Sequence, residues 1–96
     1  MAVVRTTRFQ VDPEVVDEFL RRRAVMIDTL RQAFPGLVQA RLARVDERTW
    51  VDTWLWESAE HVQAALGGAA TIPAVPAAFE LVSDAEAEQA EVVDAR

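Results

Sequence analysis

Thr49-Trp50-Val51-Asp52-Thr53-Trp54-Leu55-Trp56-Glu57-Ser58 holds every tryptophan of the chain. The stretch alternates with period two, which reads as a β-strand. Trp50, Asp52, Trp54 and Trp56 fall on one face, and Val51, Thr53 and Leu55 on the other. One carboxylate is thus set among three indoles, while the opposite face is also largely apolar. Water is a poor partner for either face.

Working outward, the 96 residues suit a single domain, 1–96, with one modest core. An apolar fraction of 51% is ample for a packed fold. The absence of cysteine removes disulfides, thiol nucleophiles, thiolate zinc sites and iron–sulfur clusters. The single histidine, His61, leaves no His-rich metal site within one chain, so no metal is expected. No stretch reads as a signal peptide or is long enough to span a membrane, so the chain reads as cytoplasmic. The net charge of −6 is concentrated in an acidic C-terminal segment, 84–96, read as a solvated end. Neither that charge nor its placement suits nucleic acid or an anionic membrane as partner.

Val3 to Val11 reads as a strand, with Arg5, Thr7, Phe9 and Val11 on one face. Asp12-Pro13 opens a helix that runs to about Ala33, stopped by Pro35-Gly36. Its broad apolar sector includes Phe19, Met26, Ile27 and Leu30, with Arg23 in the middle. Leu37 to Val45 forms a second strand, joined through Asp46-Glu47-Arg48 to the tryptophan strand as an antiparallel hairpin. Ser58 caps a second helix whose apolar face carries Val62, Ala65 and Leu66. Thr71 to Pro76 reads as a loop with one helical turn. Ala78 to Ser83 is expected as the fourth strand, with a short helix from Asp84 to about Val92. The order β-α-β-β-α-β gives an α+β, ferredoxin-like fold: a four-stranded antiparallel sheet with both helices on one face. The uncovered face calls for a second copy, so a homodimer packed sheet to sheet is expected, an α/β barrel.

The Asp12-Pro13-Glu14 helix start, the Pro35-Gly36-Leu37 break and Thr49-Trp50-Val51-Asp52 leading into Trp56-Glu57-Ser58 resemble the antibiotic biosynthesis monooxygenase-like proteins of the dimeric α/β-barrel superfamily. The resemblance runs to about Ser83. It implies oxygenation of a polycyclic aromatic or quinol-type small molecule without metal, flavin or other cofactor. In the polyketide-oxidising branch an amide stands four residues before the motif tryptophan, where this chain has Asp52 before Trp56. That branch also has a tyrosine on the following helix, and this chain has none. The haem-degrading branch does not fit: Thr7, Ala65 and Val75 stand near its Asn, Trp and His positions.

The resemblance implies that Asp52, Trp56 and Arg23 form a catalytic layer between sheet and helices. Arg5, Thr7, Trp54, Phe19 and Leu66 are the expected substrate contacts. Two readings stand for Arg23 and Asp52: an anion-binding group beside a proton acceptor, or a structural ion pair. The indoles are either core and interface or a wall against which an aromatic ring stacks. His61 reads as a cap-region residue rather than an acid or base. The rivals to an oxygenase are a non-catalytic barrel that binds a hydrophobic ligand or serves as an accessory subunit, and an isomerase or cyclase using Asp52 as base.

Overall fold

Asp12 turns the chain from strand to helix: its Oδ1 accepts the amide of Glu14 at 2.9 Å. In the computed structural model, which describes residues 1–96, Pro13–Val15 first makes a 3-10 turn, and helix α1 then runs Val16–Ala33. Strand β1 is Val3–Val11, β2 is Leu37–Arg44 and β3 is Thr49–Trp56. Helix α2 spans Ala59–Ala69, α3 spans Ala74–Phe79, and β4 spans Val82–Glu91. The sheet order is β2-β3-β1-β4, with every pairing antiparallel. The tryptophan strand and β1 are therefore the central strands, as the ferredoxin-like arrangement requires. No helix is long and apolar enough to cross a membrane.

Two joints hold the frame. After α1, Gly36 adopts φ 107° and its carbonyl accepts from Glu57 N at 2.8 Å, which ties the start of β2 to the end of β3. The His61 ring lies against this glycine, and a Cβ here would come within 2.5 Å of the ring. Gly36 is thus required both by its backbone and by its neighbour. At the β2–β3 turn, Asp46 Oδ1 accepts the amides of Arg48 (2.9 Å) and Thr49 (2.8 Å).

The C-terminal third departs from the sequence reading. The fourth strand is not Ala78–Ser83, and no helix follows Asp84. Ala74–Phe79 is helical, and residues 84–91 belong to an exposed edge strand. Pro76 is admissible because it sits in the first turn of α3, where amides have no helical partner to lose. The Ala- and Glu-rich run after Asp84 has high helix propensity, but pairing along all of β1 outweighs it. Ala87 and Gln89 face the helices beside Thr7 and Arg5, while Glu86 and Glu88 face away. A bulge sets Asp84 and Ala85 opposite Phe9 alone, with Asp84 at φ 54°, a conformation that Asp tolerates better than most residues.

The core lies between the sheet and the helices. At one end Val3, Trp56, Val62 and Ala65 pack together, and at the other Phe9, Val11, Phe19 and Trp50. Phe9 and Phe19 meet edge to face at 5.5 Å. Met26, Leu30 and Ala78 join α1 to α3 between these ends. On the opposite face of the sheet Val51, Thr53 and Leu55 are half-buried and no helix covers them.

The turn carboxylate gives a pH test. The amides of Arg48 and then Thr49 hold the Asp46 carboxyl below its usual range. Its stabilising contribution is therefore complete above the unfolded pKa and is lost as pH falls through the lower, folded value. Asp46→Ala is expected to unfold more easily than the native chain at neutral pH, with the gap in denaturation midpoint shrinking below about pH 4. A gap independent of pH would contradict this origin.

Candidate active site between helix and sheet

Asp52 occupies the middle of β3, in register with Thr7 of β1 and Leu42 of β2. It faces the helices, between Trp50 and Trp54 on the same face. Arg23 reaches it from α1 with two parallel hydrogen bonds: Nε donates to Oδ2 and Nη2 to Oδ1, each at 2.8 Å. The side chains are 14% and 8% exposed. This is the fork geometry for which guanidinium and carboxylate are matched. It explains why an arginine stands in the apolar sector of α1. Each carboxylate oxygen keeps a second acceptor position.

A hollow lined mostly by apolar side chains lies beside this pair, between the sheet and all three helices. It measures about 140 Å³. Trp54 and Trp56 form its floor with Arg5 and Thr7, and Leu30, Val62 and Val75 line it from the helices. Leu66 and Phe79, 53% and 46% exposed, form its lip. A recess of about 40 Å³ adjoins it, lined among others by Phe9, Phe19, Asp52 and Val82. Thr7, Met26, Trp54 and Phe79 line both spaces. The structure thus gathers Arg5, Thr7, Trp54, Trp56 and Leu66 around one cavity and Phe19 and Asp52 around its side recess. Arg23 lines neither space and is engaged by Asp52.

One charged group at the cavity lacks a partner. Arg5 is half-buried and makes neither a hydrogen bond nor an ion pair with any other side chain, whereas Arg21, Arg22 and Arg23 are all paired. The indole N–H groups of Trp50 and Trp56 are buried away from solvent and make no hydrogen bond. Trp54 and Trp56, 6.3 Å apart, wall the cavity, Trp56 also packing in the core with Val3, Val62 and Ala65, while Trp50 lies outside the cavity, with Arg44 stacked 4.5 Å from its ring centre.

Helix α3 roofs the site, and the sequence reading missed it. Val75 and Phe79 reach the cavity, and Ala78 and Phe79 the recess. Arg22, which lies outside the apolar sector of α1, holds this roof by donating to Ala77 O at 2.9 Å and to Glu80 at 3.2 Å. The signal for it was Pro73-Ala74-Val75-Pro76, which fits a helix start as well as a loop. His61 lies away from the cavity. Its Nδ1 meets Ser58 Oγ at 2.7 Å, and the same oxygen accepts the His61 amide at the start of α2, as a cap-region residue would. No group of three or more His, Asp or Glu side chains is placed to hold a metal ion.

The sequence profile of the antibiotic biosynthesis monooxygenase family matches residues 2–80. No functionally curated protein matches the chain. Among solved structures, SnoaB of Streptomyces nogalater, a cofactor-independent oxygenase, is 21% identical, covers 98% of this chain and 95% of its own, and gives a TM-score of 0.78. A conserved protein of Methanosarcina mazei Go1 is 15% identical over 94% of this chain and 91% of its own, with a TM-score of 0.78. A dimeric ferredoxin-like protein from an uncultured marine organism is 15% identical over 99% and 90%, with a TM-score of 0.74. At these identities the likeness shows the fold.

The ion pair has a measurable signature. Arg23→Met strands a buried carboxylate and is expected to cost about 3–5 kcal/mol in chemical denaturation. The double change Arg23→Met with Asp52→Leu is expected to recover most of that loss, since no uncompensated charge remains. A double variant as unstable as the single one would show that the pair does not act as a unit.

Proposed function

Given that the chain belongs to the antibiotic biosynthesis monooxygenase family, we propose that it is a cofactor-independent oxygenase of a single-ring phenol or quinol, with the cavity over Trp54 and Trp56 as its substrate site. The observation that carries this reading is the cavity of about 140 Å³ with apolar walls and few polar groups. An apolar protein cavity of about 150 Å³ accepts one benzene ring. This space therefore suits a quinol-type substrate, and a fused polycycle would require α3 to move aside. The likeness to SnoaB supports oxygenase chemistry; the substrate class rests on cavity size.

The chemistry needs a ring that can lose a proton and then pass electrons to dioxygen. A quinol and dioxygen give a hydroxyquinone and water: one oxygen atom forms the new C–O bond, the other leaves as water, and all the electrons come from the ring. Proton acceptance falls to the free acceptor positions of Asp52, reached from the cavity past Thr7. The Thr7 hydroxyl, which lines both spaces, donates to a ring oxygen, and that bond strengthens as the oxygen gains negative charge. The apolar walls keep water from the reactive carbon. Arg23 fixes the orientation of Asp52.

The Arg23–Asp52 pairing also favours a second reading. A carboxylate held on both oxygens serves structure well, and the cavity would then only bind a hydrophobic ligand. Oxygen uptake with a single-ring quinol separates the two. The oxygenase reading expects consumption above the autoxidation baseline, falling about a hundredfold or more in Asp52→Asn. Binding without uptake would leave the ligand-binding barrel.

The half-buried Val51-Thr53-Leu55 face supports a homodimer packed sheet to sheet. Sedimentation is expected to give twice the chain mass at micromolar concentration, and Leu55→Glu to give monomers. A native chain that stays monomeric would sink this assembly.

A further inference from the structure

Two polar side chains line the larger cavity: Arg5 offers only donors, and Thr7 offers a hydroxyl that donates or accepts. No carboxylate lines that space, since Asp52 opens on the side recess. Arg5 is also the cavity's single charge. It sits on the helix-facing side of β1, in register with Trp54 on one side and Gln89 on the other, neither of which can neutralise it. Glu91, one register step along the same face of β4, forms no ion pair with it. A half-buried guanidinium at the wall of an apolar hollow gains from a negative partner there.

We propose that Arg5 is a specificity-determining anion anchor, and that the ligand of this cavity is a single-ring phenol or quinol carrying a carboxylate. The proposal deepens the oxygenase reading and rests on the same cavity. The carboxylate lies on Arg5 through charge-assisted hydrogen bonds, which a planar guanidinium makes in pairs. The ring lies over Trp54. Arg5 and Thr7 are two residues apart on one strand face, roughly 7 Å along β1. That spacing matches the span of a para-substituted ring, so a carboxylate on Arg5 brings the ring hydroxyl to Thr7 and the recess holding Asp52. A cationic amine of the same size finds no carboxylate in the larger cavity and meets like charge at Arg5.

Tryptophan fluorescence titration of the full chain reads this directly, with 4-hydroxybenzoate, phenol and tyramine as probes. Native protein is expected to bind 4-hydroxybenzoate about tenfold or more tightly than phenol, and tyramine more weakly than either. In Arg5→Met the ratio of hydroxybenzoate to phenol affinity is expected to fall to about one, while Arg5→Lys keeps a ratio above one. Equal affinities in the native chain, or a ratio unchanged in a folded Arg5→Met, would overturn the proposal. Thermal melting of both variants establishes that they are folded. Oxygen uptake with a dihydroxybenzoate and with the matching neutral quinol separates the two inferences. A charge preference in binding without uptake removes the oxygenase and leaves the anion anchor. Uptake with the neutral quinol and no preference for the acid removes the anion anchor and leaves the oxygenase.

Discussion

The bidentate bond between Arg23 and Asp52 pins the middle of α1 to the middle of β3, and the rest of the helical layer is arranged around it. On either side of that pin the apolar contacts differ. Towards Phe9, Phe19 and Trp50 the layers leave only the recess of about 40 Å³. Towards Trp54 and Trp56 they stay apart, and the space that remains is the cavity. Closing the cavity would bring α1 nearer the sheet, which two hydrogen bonds of 2.8 Å do not permit without bending the helix or tilting the strand. A buried ion pair is a weak source of net stability, because desolvation offsets most of the attraction. Its value here is geometric: it fixes a separation, and a ligand site needs a fixed separation more than it needs extra stability.

The sequence was legible where periodicity and end signals agreed. Asp12-Pro13, Pro35-Gly36 and the turn at Asp46 each combine a residue preference with a change of period, and β1, α1, β2 and β3 begin and end close to those marks. The C-terminal third was illegible for an opposite reason in each half. At Ala74–Phe79 Pro73 and Pro76 argued against a helix, although the N-cap and the first turn accept them. In Val82–Glu91 the Ala and Glu residues argued for a helix, although an unpaired edge of β1 was waiting for a strand. Local propensity is worth tenths of a kcal/mol per residue, and a full strand pairing outweighs it.

The site was legible in the same graded way. Alternation along β1 and β3 places Arg5, Thr7, Asp52, Trp54 and Trp56 on one face, and the structure gathers them. Which indole lies in the core and which at the cavity depends on where the helices sit, and no pattern within β3 encodes that. Trp50 is taken up by Arg44 and the Phe9–Phe19 pair, while Trp54 and Trp56 are not. The identity of the uncommitted cation is equally a tertiary fact. Arg23 stands out in sequence because it interrupts an apolar sector, yet it is the cation that is spent. Arg5, on the helix-facing side of β1, is the cation left without a partner at the cavity.

The short roof has a consequence for time scales. The two central strands, the long helix α1 and helix α2 make up most of the cavity wall, and the strands and α1 open only when the whole domain does. Helix α3 has six residues and is held from outside by Arg22. Its opening breaks few bonds, so local opening there exchanges the contents of the cavity more readily than global unfolding does. Glu18, which holds Arg22 from the preceding turn of α1, thereby joins the surface electrostatics of a helix to the residence time of whatever the cavity holds.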